Sequence, residues 1–226
     1  PTNMAKPIMK MLIEDGEVTR GWLGISIQTV KPELRQALSL ATDHGVLVTS
    51  VSKNSPAAKA GLERNDVITQ VNGQKTGTAQ KLQALIADAG ANQTVTLEVM
   101  RGNSTRTMHV KLGTLSGEPT AQNMHGAPSG AKDDALGARV ADLSSNVRAH
   151  FHIPADVTGG AVVTQVVPGS PAAFMGIRPG DVILQVNRKK VTSAKAFSNL
   201  YHNAHNQVAI LIYRDGAAVY LSVPKK

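Results

Sequence analysis

The sequence has 226 residues and a formal net charge of +8, with 42% hydrophobic residues, 3% aromatic residues and no cysteine. This length suits one large or two small domains, and the lack of cysteine excludes disulfides, thiol nucleophiles and cysteine-based metal sites. No apolar run approaches the about 20 residues of a membrane-spanning helix. The basic residues are dispersed and few aromatic residues could stack on bases, so we expect no nucleic-acid partner.

The chain starts with an amphipathic pattern, and a series of short elements follows it. Ile8, Met11 and Leu12 share one helical face, and Gly16 is a stop signal for that helix. Next come a strand (22–28), a short helix (32–39), a buried strand (45–51), a helical turn from Ser55-Pro56 to Gly61, a strand (66–72), a longer helix (78–89) and two strands (94–101 and 105–112) around a turn at Gly102-Asn103.

The same series of elements then occurs a second time. The stretch "SPAAKAGLERNDVITQVNG" begins at Ser55, and "SPAAFMGIRPGDVILQVNR" begins 115 positions later at Ser170. Gly24 and Gly137 differ by 113 positions, as do Arg101 and Arg214. A nearly constant offset of this size indicates a duplicated globular domain rather than a solenoid repeat.

The pattern also predicts the domain boundaries. We expect a first domain over residues 21–113, a flexible linker over 114–134, rich in Gly, Pro, Ala and Ser, and a second domain over 135–226. Each domain should be α+β: a partly open barrel or sandwich of five or six strands with one short and one long helix. The first residue is not Met, so the chain is expected to be a fragment or a processed product.

In both copies, the order of turn, short helix and strand around "SPAAxAGLxxxDVIxxVNG" closely resembles a PDZ domain. The segment "PTNMAKPIMKMLIEDGEVTRGWLGI" is further similar to the end of the protease domain and the entry into the first PDZ domain of bacterial Deg/HtrA serine endoproteases of the DegP/DegQ type. On this resemblance, residues 1–20 are the last helix of the protease domain and a linker. It also implies a periplasmic location and trimer-based homo-oligomers.

PDZ domains bind extended peptides at a sheet edge and hold the peptide carboxylate with backbone N–H groups. The resemblance places this cradle in the first copy at the N–H groups of Leu23, Gly24 and Ile25, where Gly24 permits close backbone approach. The full set of expected peptide-binding residues is Arg20, Trp22, Leu23, Gly24, Ile25, Ile27, Leu82 and Ile86. The expected ligands are unfolded or cleaved polypeptides with hydrophobic C-termini, and Gly24→Val is expected to weaken binding without unfolding the domain.

Some of these assignments have alternatives. Leu82 and Ile86, spaced i,i+4 on the long helix, could line the peptide pocket or belong to the core, because the two are continuous in a PDZ domain. Trp22 could contact the ligand or anchor another domain. No cofactor is expected.

The second copy departs from the first at the same loop. It reads Asp133-Asp134-Ala135 before the weaker second-site candidates Leu136, Gly137 and Ala138. Acidic residues would repel a carboxylate and Ala138 replaces the larger Ile25, so we expect weaker or no C-terminal peptide binding there. The resemblance instead associates this domain with oligomer assembly.

No catalytic or metal site is expected in this chain. Gly102-Asn103-Ser104 is followed by Thr105 and Arg106 and so lacks the glycines of a protease nucleophile loop. Two histidine pairs, His150 with His152 and His202 with His205, lie near helix ends, where the dipole alone favours them. The chain is thus expected to be the substrate-recruiting part of an endoprotease. The alternative is a non-proteolytic PDZ scaffold that binds partner C-termini.

Overall fold

The computed structural model describes residues 21–114, 131–133 and 136–225. The elements of the first copy follow the expected order. They are β1 (Gly21–Trp22), β2 (Ile25–Thr29), α1 (Pro32–Leu38), β3 (Val46–Val51), α2 (Pro56–Lys59), β4 (Val67–Val71), β5 (Gln74–Lys75), α3 (Ala79–Ala89), β6 (Thr94–Arg101), β7 (Ser104–Lys111) and β8 (Gly113–Thr114).

The second copy repeats the elements from β2 to β7 and has the strand β9 in addition. It contains β9 (Ala131–Asp133), β10 (Ala138–Asp142), α4 (Ser145–His150), β11 (Ala161–Val166), α5 (Pro171–Phe174), β12 (Val182–Val186), β13 (Lys189–Lys190), α6 (Ala194–His202), β14 (Asn206–Arg214) and β15 (Ala217–Lys225). The α+β class and the tandem arrangement predicted from the sequence are therefore confirmed.

Each copy is built on an open sheet rather than a closed barrel. In the first copy the strand order is β2-β3-β4-β6-β7, with β5 beside β4. In the second copy the order is β15-β14-β12-β11-β10-β9, with β13 beside β12. A further two-stranded sheet joins β1 to β8. The strand β10 therefore lies between β11 and β9, whereas its counterpart β2 ends the order of its own sheet.

The long helices bury their apolar faces in the core of each copy. Leu82 and Ile86 are buried on α3, and Phe197 and Tyr201 are buried on α6. Thr78 and Ser193 begin these helices by accepting a hydrogen bond from the backbone N–H three residues ahead, which satisfies one of the free amides of the first turn.

Contacts divide the described chain into two compact units. One contains residues 21–25 and 44–114, and the other contains residues 26–43, 131–133 and 136–225. Segment 26–43 belongs to the first copy by sequence but is grouped with the second unit. The expected boundaries at 113–114 and 134–135 stay a prediction.

The segment 114–134 differs from the expected linker at both of its ends. Thr114 belongs to β8, and residues 131–133 form β9. Both strands consist of polar or small residues without an apolar alternation, which is why the sequence pattern does not predict them. Residues 115–130, like residues 1–20 with their expected helix, lie outside the described residues.

Candidate peptide-binding site

The repeated phrase forms the support on which the expected cradle rests. Ser55 begins α2: its Oγ accepts a hydrogen bond of 3.1 Å from the Ala58 amide, and Pro56 occupies the first helical position. Ser170 begins α5 in the same way, with 3.3 Å between its Oγ and the Ala173 amide. Proline suits this position because its ring fixes φ at a helical value. The amide hydrogen that it lacks would have no acceptor within the helix. One turn of helix is thereby fixed in each copy.

This helical turn and the residue that follows β3 hold the carbonyl groups of the Leu23-Gly24 loop. The Ala57 amide donates to the Leu23 carbonyl over 3.0 Å, and the Ser52 amide donates to the Gly24 carbonyl over 2.9 Å. Both carbonyls are therefore committed to the body of the first copy.

The orientation of two amides follows from these bonds. A trans peptide group points its N–H away from its C=O. The Leu23 carbonyl shares a peptide with the Gly24 amide, and the Gly24 carbonyl shares the next one with the Ile25 amide. Both amides therefore point away from α2 and β3. Among the described residues, the amides of Leu23 and Gly24 donate no hydrogen bond, although both residues are buried. Neighbouring amides without an acceptor in the described chain can donate to an anion, so this loop is suited to hold one.

Gly24 is required by both its backbone and its surroundings. Its φ is +75°, in the left-handed region, and a Cβ built there would overlap the Cβ of Ser55 and come within 3.0 Å of the Trp22 ring. Glycine alone fits a position with both constraints. The sequence prediction that this position needs glycine is explained by packing against the helix cap.

The Trp22 ring packs inside its own copy. It is half-buried and lies against Gly24, and a Cβ at Gly113 would be 3.2 Å from it. Trp22 thus packs against the Leu23-Gly24 loop and against β8 within the first copy. The sequence analysis considered a ligand contact or a domain anchor for Trp22, but not this role.

The other expected site residues of the first copy lie on two elements. Ile25 and Ile27 are half-buried on β2, whereas Leu82 and Ile86 are 1% and 5% exposed on α3. The two helix residues are part of the core. Arg20 lies outside the described residues.

The second copy contains the same loop geometry. The Ala172 amide donates to the Leu136 carbonyl over 3.0 Å, and the Val167 amide donates to the Gly137 carbonyl over 2.9 Å. Gly137 has φ +73°, and a Cβ there would lie 2.8 Å from the Ser170 Oγ. Duplication of the phrase has therefore preserved the loop.

What lies around this second loop has changed. Ala138 is fully buried where the first copy has the half-buried Ile25, and Phe197 and Tyr201 stand 115 positions after Leu82 and Ile86. Their rings stack with centroids 5.8 Å apart inside the main core cluster. The second copy thus has larger residues on the helix and a smaller residue on the strand than the first copy.

A buried ion pair that the sequence analysis missed holds the support together. Arg101 binds both Oδ atoms of the buried Asp66 at 2.7 Å through Nε and Nη2, and Nη2 also donates to the Gly61 carbonyl. The hydrogen bond with Asp66 raises the pKa of Arg101. Arg214 and Asp181 form the same bidentate pair at 2.6 Å. Asp181 lies 115 positions after Asp66, and Arg214 lies 113 positions after Arg101. Because these are the offsets of the repeat, the repeat could have indicated this pair.

The alternative chemical sites occupy ordinary structural positions. Gly102 and Asn103 form the turn between β6 and β7, in which Arg101 pairs with Ser104. No cluster of three or more metal-ligating side chains is present among the residues that the structure describes. Within the same described ranges, no helix has both the length and the apolar run that crossing a bilayer requires.

Comparisons with known proteins agree with this geometry. A family model of the PDZ domain matches residues 21–112, and a second PDZ-domain model matches residues 162–214. The first matched region contains the Leu23-Gly24 loop and its support. The second contains Val167 and Ala172, whose amides support the Leu136-Gly137 loop. The chain is thus defined as a protein with two PDZ domains in tandem.

Curated relatives of this chain carry the name of a periplasmic endoprotease. The chain is 32% identical over 226 residues to the "Probable periplasmic serine endoprotease DegP-like" of Pseudomonas putida strain F1, covering 98% of this chain and 46% of the relative. The protein of the same name from Chlamydia trachomatis serovar D is 34% identical over 225 residues, covering 100% and 43%. A solved structure, "HtrA-type protease AlgW with decapeptide", is 30% identical over 52% of this chain and 36% of its own, with a TM-score of 0.47.

The chain therefore belongs to the PDZ-domain family, and nearly all of it is similar to one part of these DegP-like proteins. It spans less than half the length of the curated relatives that it matches.

Proposed function

We propose that the first PDZ domain binds the free C-terminus of an extended polypeptide. The peptide would add to β2 as a further antiparallel strand, and its carboxylate would accept hydrogen bonds from the amides of Gly24, Ile25 and Leu23. The observation that carries this proposal is the fixed orientation of the loop: its carbonyls bind Ala57 and Ser52, which turns the amides outward.

We propose that the peptide site of the first domain accepts a hydrophobic last residue. Ile25 and Ile27 on β2 and Leu82 and Ile86 on α3 are the apolar residues proposed to line it, with Arg20 adding a positive charge near the carboxylate and Trp22 supporting the loop. Unfolded or cleaved polypeptides expose hydrophobic ends of this kind, so they are the proposed ligands.

At the level of the whole protein, we propose that this tandem recruits substrates to a periplasmic serine endoprotease that acts in protein quality control. The naming of the curated relatives as periplasmic endoproteases supports this proposal. The protease domain of the same protein would be the partner of the tandem, and the second PDZ domain would support a trimer-based homo-oligomer. The chain itself would hydrolyse nothing. The alternative is a scaffold without protease activity. The coding sequence before Pro1 distinguishes the two functions: a Gly-Asn-Ser-Gly-Gly loop and a signal peptide there would favour the protease.

A titration tests the peptide proposal directly. The ¹⁵N-labelled 226-residue chain is titrated with the acetylated peptide Ser-Thr-Val-Tyr-Val, once with a free C-terminal carboxylate and once as the carboxamide. We expect the amide signals of residues 23–25 to shift with the carboxylate form. We expect the carboxamide to bind at least tenfold more weakly, since hydrogen bonds to a charged group contribute about 1.5–3 kcal/mol. Equal affinity of the two forms would rule out the cradle.

A further inference from the structure

In the second PDZ domain, the sheet edge beside β10 is occupied by a segment of the same chain. Strand β9 pairs with β10 on the side away from β11, with Ala138 opposite Asp133, Arg139 opposite Lys132 and Val140 opposite Ala131. This is the edge at which a PDZ domain adds a peptide strand. In the first domain the corresponding strand, β2, ends the order of its sheet.

The direction of β9 is also that of a PDZ ligand. The strand runs antiparallel to β10, and its C-terminal residue, Asp133, is paired at the start of β10, next to the loop of Leu136 and Gly137. A bound peptide would place its own last residue at this same end. The three residues of β9 therefore occupy the backbone positions of a ligand's last residues.

Two further features reduce the room for another ligand beside β10. Phe197 and Tyr201 fill the space between α6 and the sheet together with the buried Ala138. At the far end of β10, the Asp142 carboxylate accepts a hydrogen bond of 2.6 Å from the Ala194 amide at the start of α6. That bond ties the end of the strand to the start of the helix.

We propose that Ala131–Asp133 is an intramolecular ligand of the second PDZ domain, which an extended polypeptide must displace before it can pair with β10. The second domain is then a strand acceptor closed by its own chain rather than a domain that has lost its binding edge. This inference does not depend on peptide binding by the first domain. In a titration, the amide signals of residues 23–25 report on the first domain and those of residues 138–142 report on the second.

Disulfide trapping tests the pairing of the two strands. The chain has no cysteine, so a double variant forms at most one intramolecular disulfide. We expect Lys132→Cys with Arg139→Cys to oxidise readily, because opposed residues on antiparallel strands have Cα atoms about 4.5–5.5 Å apart, within the range of disulfides. Lys132→Cys with Gln165→Cys is the matched control: Gln165 pairs with Arg139 from the opposite side, two strand spacings or about 9.6 Å from β9. Equal oxidation of the two variants would overturn the proposal.

Peptide titration of the trapped protein then tests displacement. The Lys132→Cys/Arg139→Cys chain is titrated with the acetylated Ser-Thr-Val-Tyr-Val carboxylate in its oxidised and its reduced form, and the amide signals of residues 138–142 are followed. The oxidised form should show no peptide-dependent shift there. The reduced form should bind weakly, and Lys132→Pro, which disfavours the strand, should bind at least about tenfold more tightly than the unmodified chain.

The outcomes of this titration are distinct. Unchanged β14 and β15 signals in Lys132→Pro would show that the domain is folded. Identical shifts in the oxidised and reduced forms, or no binding to β10 in a folded Lys132→Pro chain, would contradict the proposal. A failure of the first domain to bind would affect only residues 23–25 and would leave this result readable.

Discussion

Gly24 has a backbone conformation that side chains disfavour and no space for a side chain. The left-handed conformation costs a non-glycine residue about 1–2 kcal/mol, and the overlap with Ser55 adds a steric cost. The sequence expectation that Gly24→Val weakens binding without unfolding therefore does not agree with the structure, because a β-branched residue would displace the helix cap. Binding is better tested by changing the peptide than by changing this residue.

The steric part of the Gly24 requirement can be measured against another glycine. Gly73 has φ +76°, and a Cβ added there would meet nothing within 4 Å, so Gly73→Ala carries only the conformational cost. We expect Gly73→Ala to lower the free energy of unfolding by about 1 kcal/mol and Gly24→Ala to lower it by at least about 2 kcal/mol. Urea unfolding of the two variants gives both values. Equal losses would show that the contact between Gly24 and Ser55 exerts no constraint.

The pair of Asp66 and Arg101 connects three elements of the first copy. Asp66 precedes β4, Arg101 ends β6, and the guanidinium also holds the Gly61 carbonyl behind α2. The Asp66 side chain is 1% exposed, while that of Glu63, which also contacts Arg101, is 66% exposed. Removing one partner from a buried pair leaves the other charge uncompensated, whereas an exposed pair contributes little.

Two isosteric substitutions separate these contributions. We expect Asp66→Asn to lower the free energy of unfolding by about 3–5 kcal/mol and Glu63→Gln to lower it by less than about 1 kcal/mol. Urea unfolding at neutral pH measures both. A loss below about 1 kcal/mol for Asp66→Asn would show that this pair does not hold α2, β4 and β6 together.

The sequence predicted those elements that have a local signal. Both N-caps of the repeated phrase, the two long helices and the closing hairpins lie within a residue or two of the expected positions, because serine-proline starts, apolar periodicity and glycine turns act locally. The expected strand over 22–28 is interrupted at Leu23-Gly24, where long-range bonds to Ser52 and Ala57 bend the chain. The strand β9 has no local signal, since its pairing with β10 alone defines it.

The candidate site was predictable only to the level of its backbone. The family motif located Leu23 and Gly24, but the sequence could not show that their carbonyls are bound from behind, because Ser52 and Ala57 lie about thirty positions away along the chain. The acidic loop and Ala138 indicated that the second copy differs. They did not indicate that its own chain covers the edge, because that fact depends on the pairing of strands.

Across the whole molecule, the two copies share one scaffold and fill it with different side chains. Ala138 and Phe197 belong to the same core cluster in the second copy, and the first copy has Ile25 and Leu82 at the matching positions. The second copy thus combines the small strand residue Ala138 with the large helix residue Phe197. The first copy combines a larger strand residue with a smaller helix residue. Such compensation implies that the two positions of the second copy are energetically coupled.

A double-mutant cycle measures this coupling. Phe197→Leu should lower the free energy of unfolding by about 1–3 kcal/mol through the cavity that it leaves, and Ala138→Ile should lower it by a similar amount through overpacking. The double variant should lose at least about 0.5 kcal/mol less than the sum, since the added methyl groups occupy the vacated volume. Ala138→Ile combined with Val182→Ala, a residue of the separate cluster around Phe151, should be additive within about 0.5 kcal/mol. Additivity in both cycles would mean that Ala138 and Phe197 do not share one packing volume, and that the second groove is not closed by this exchange.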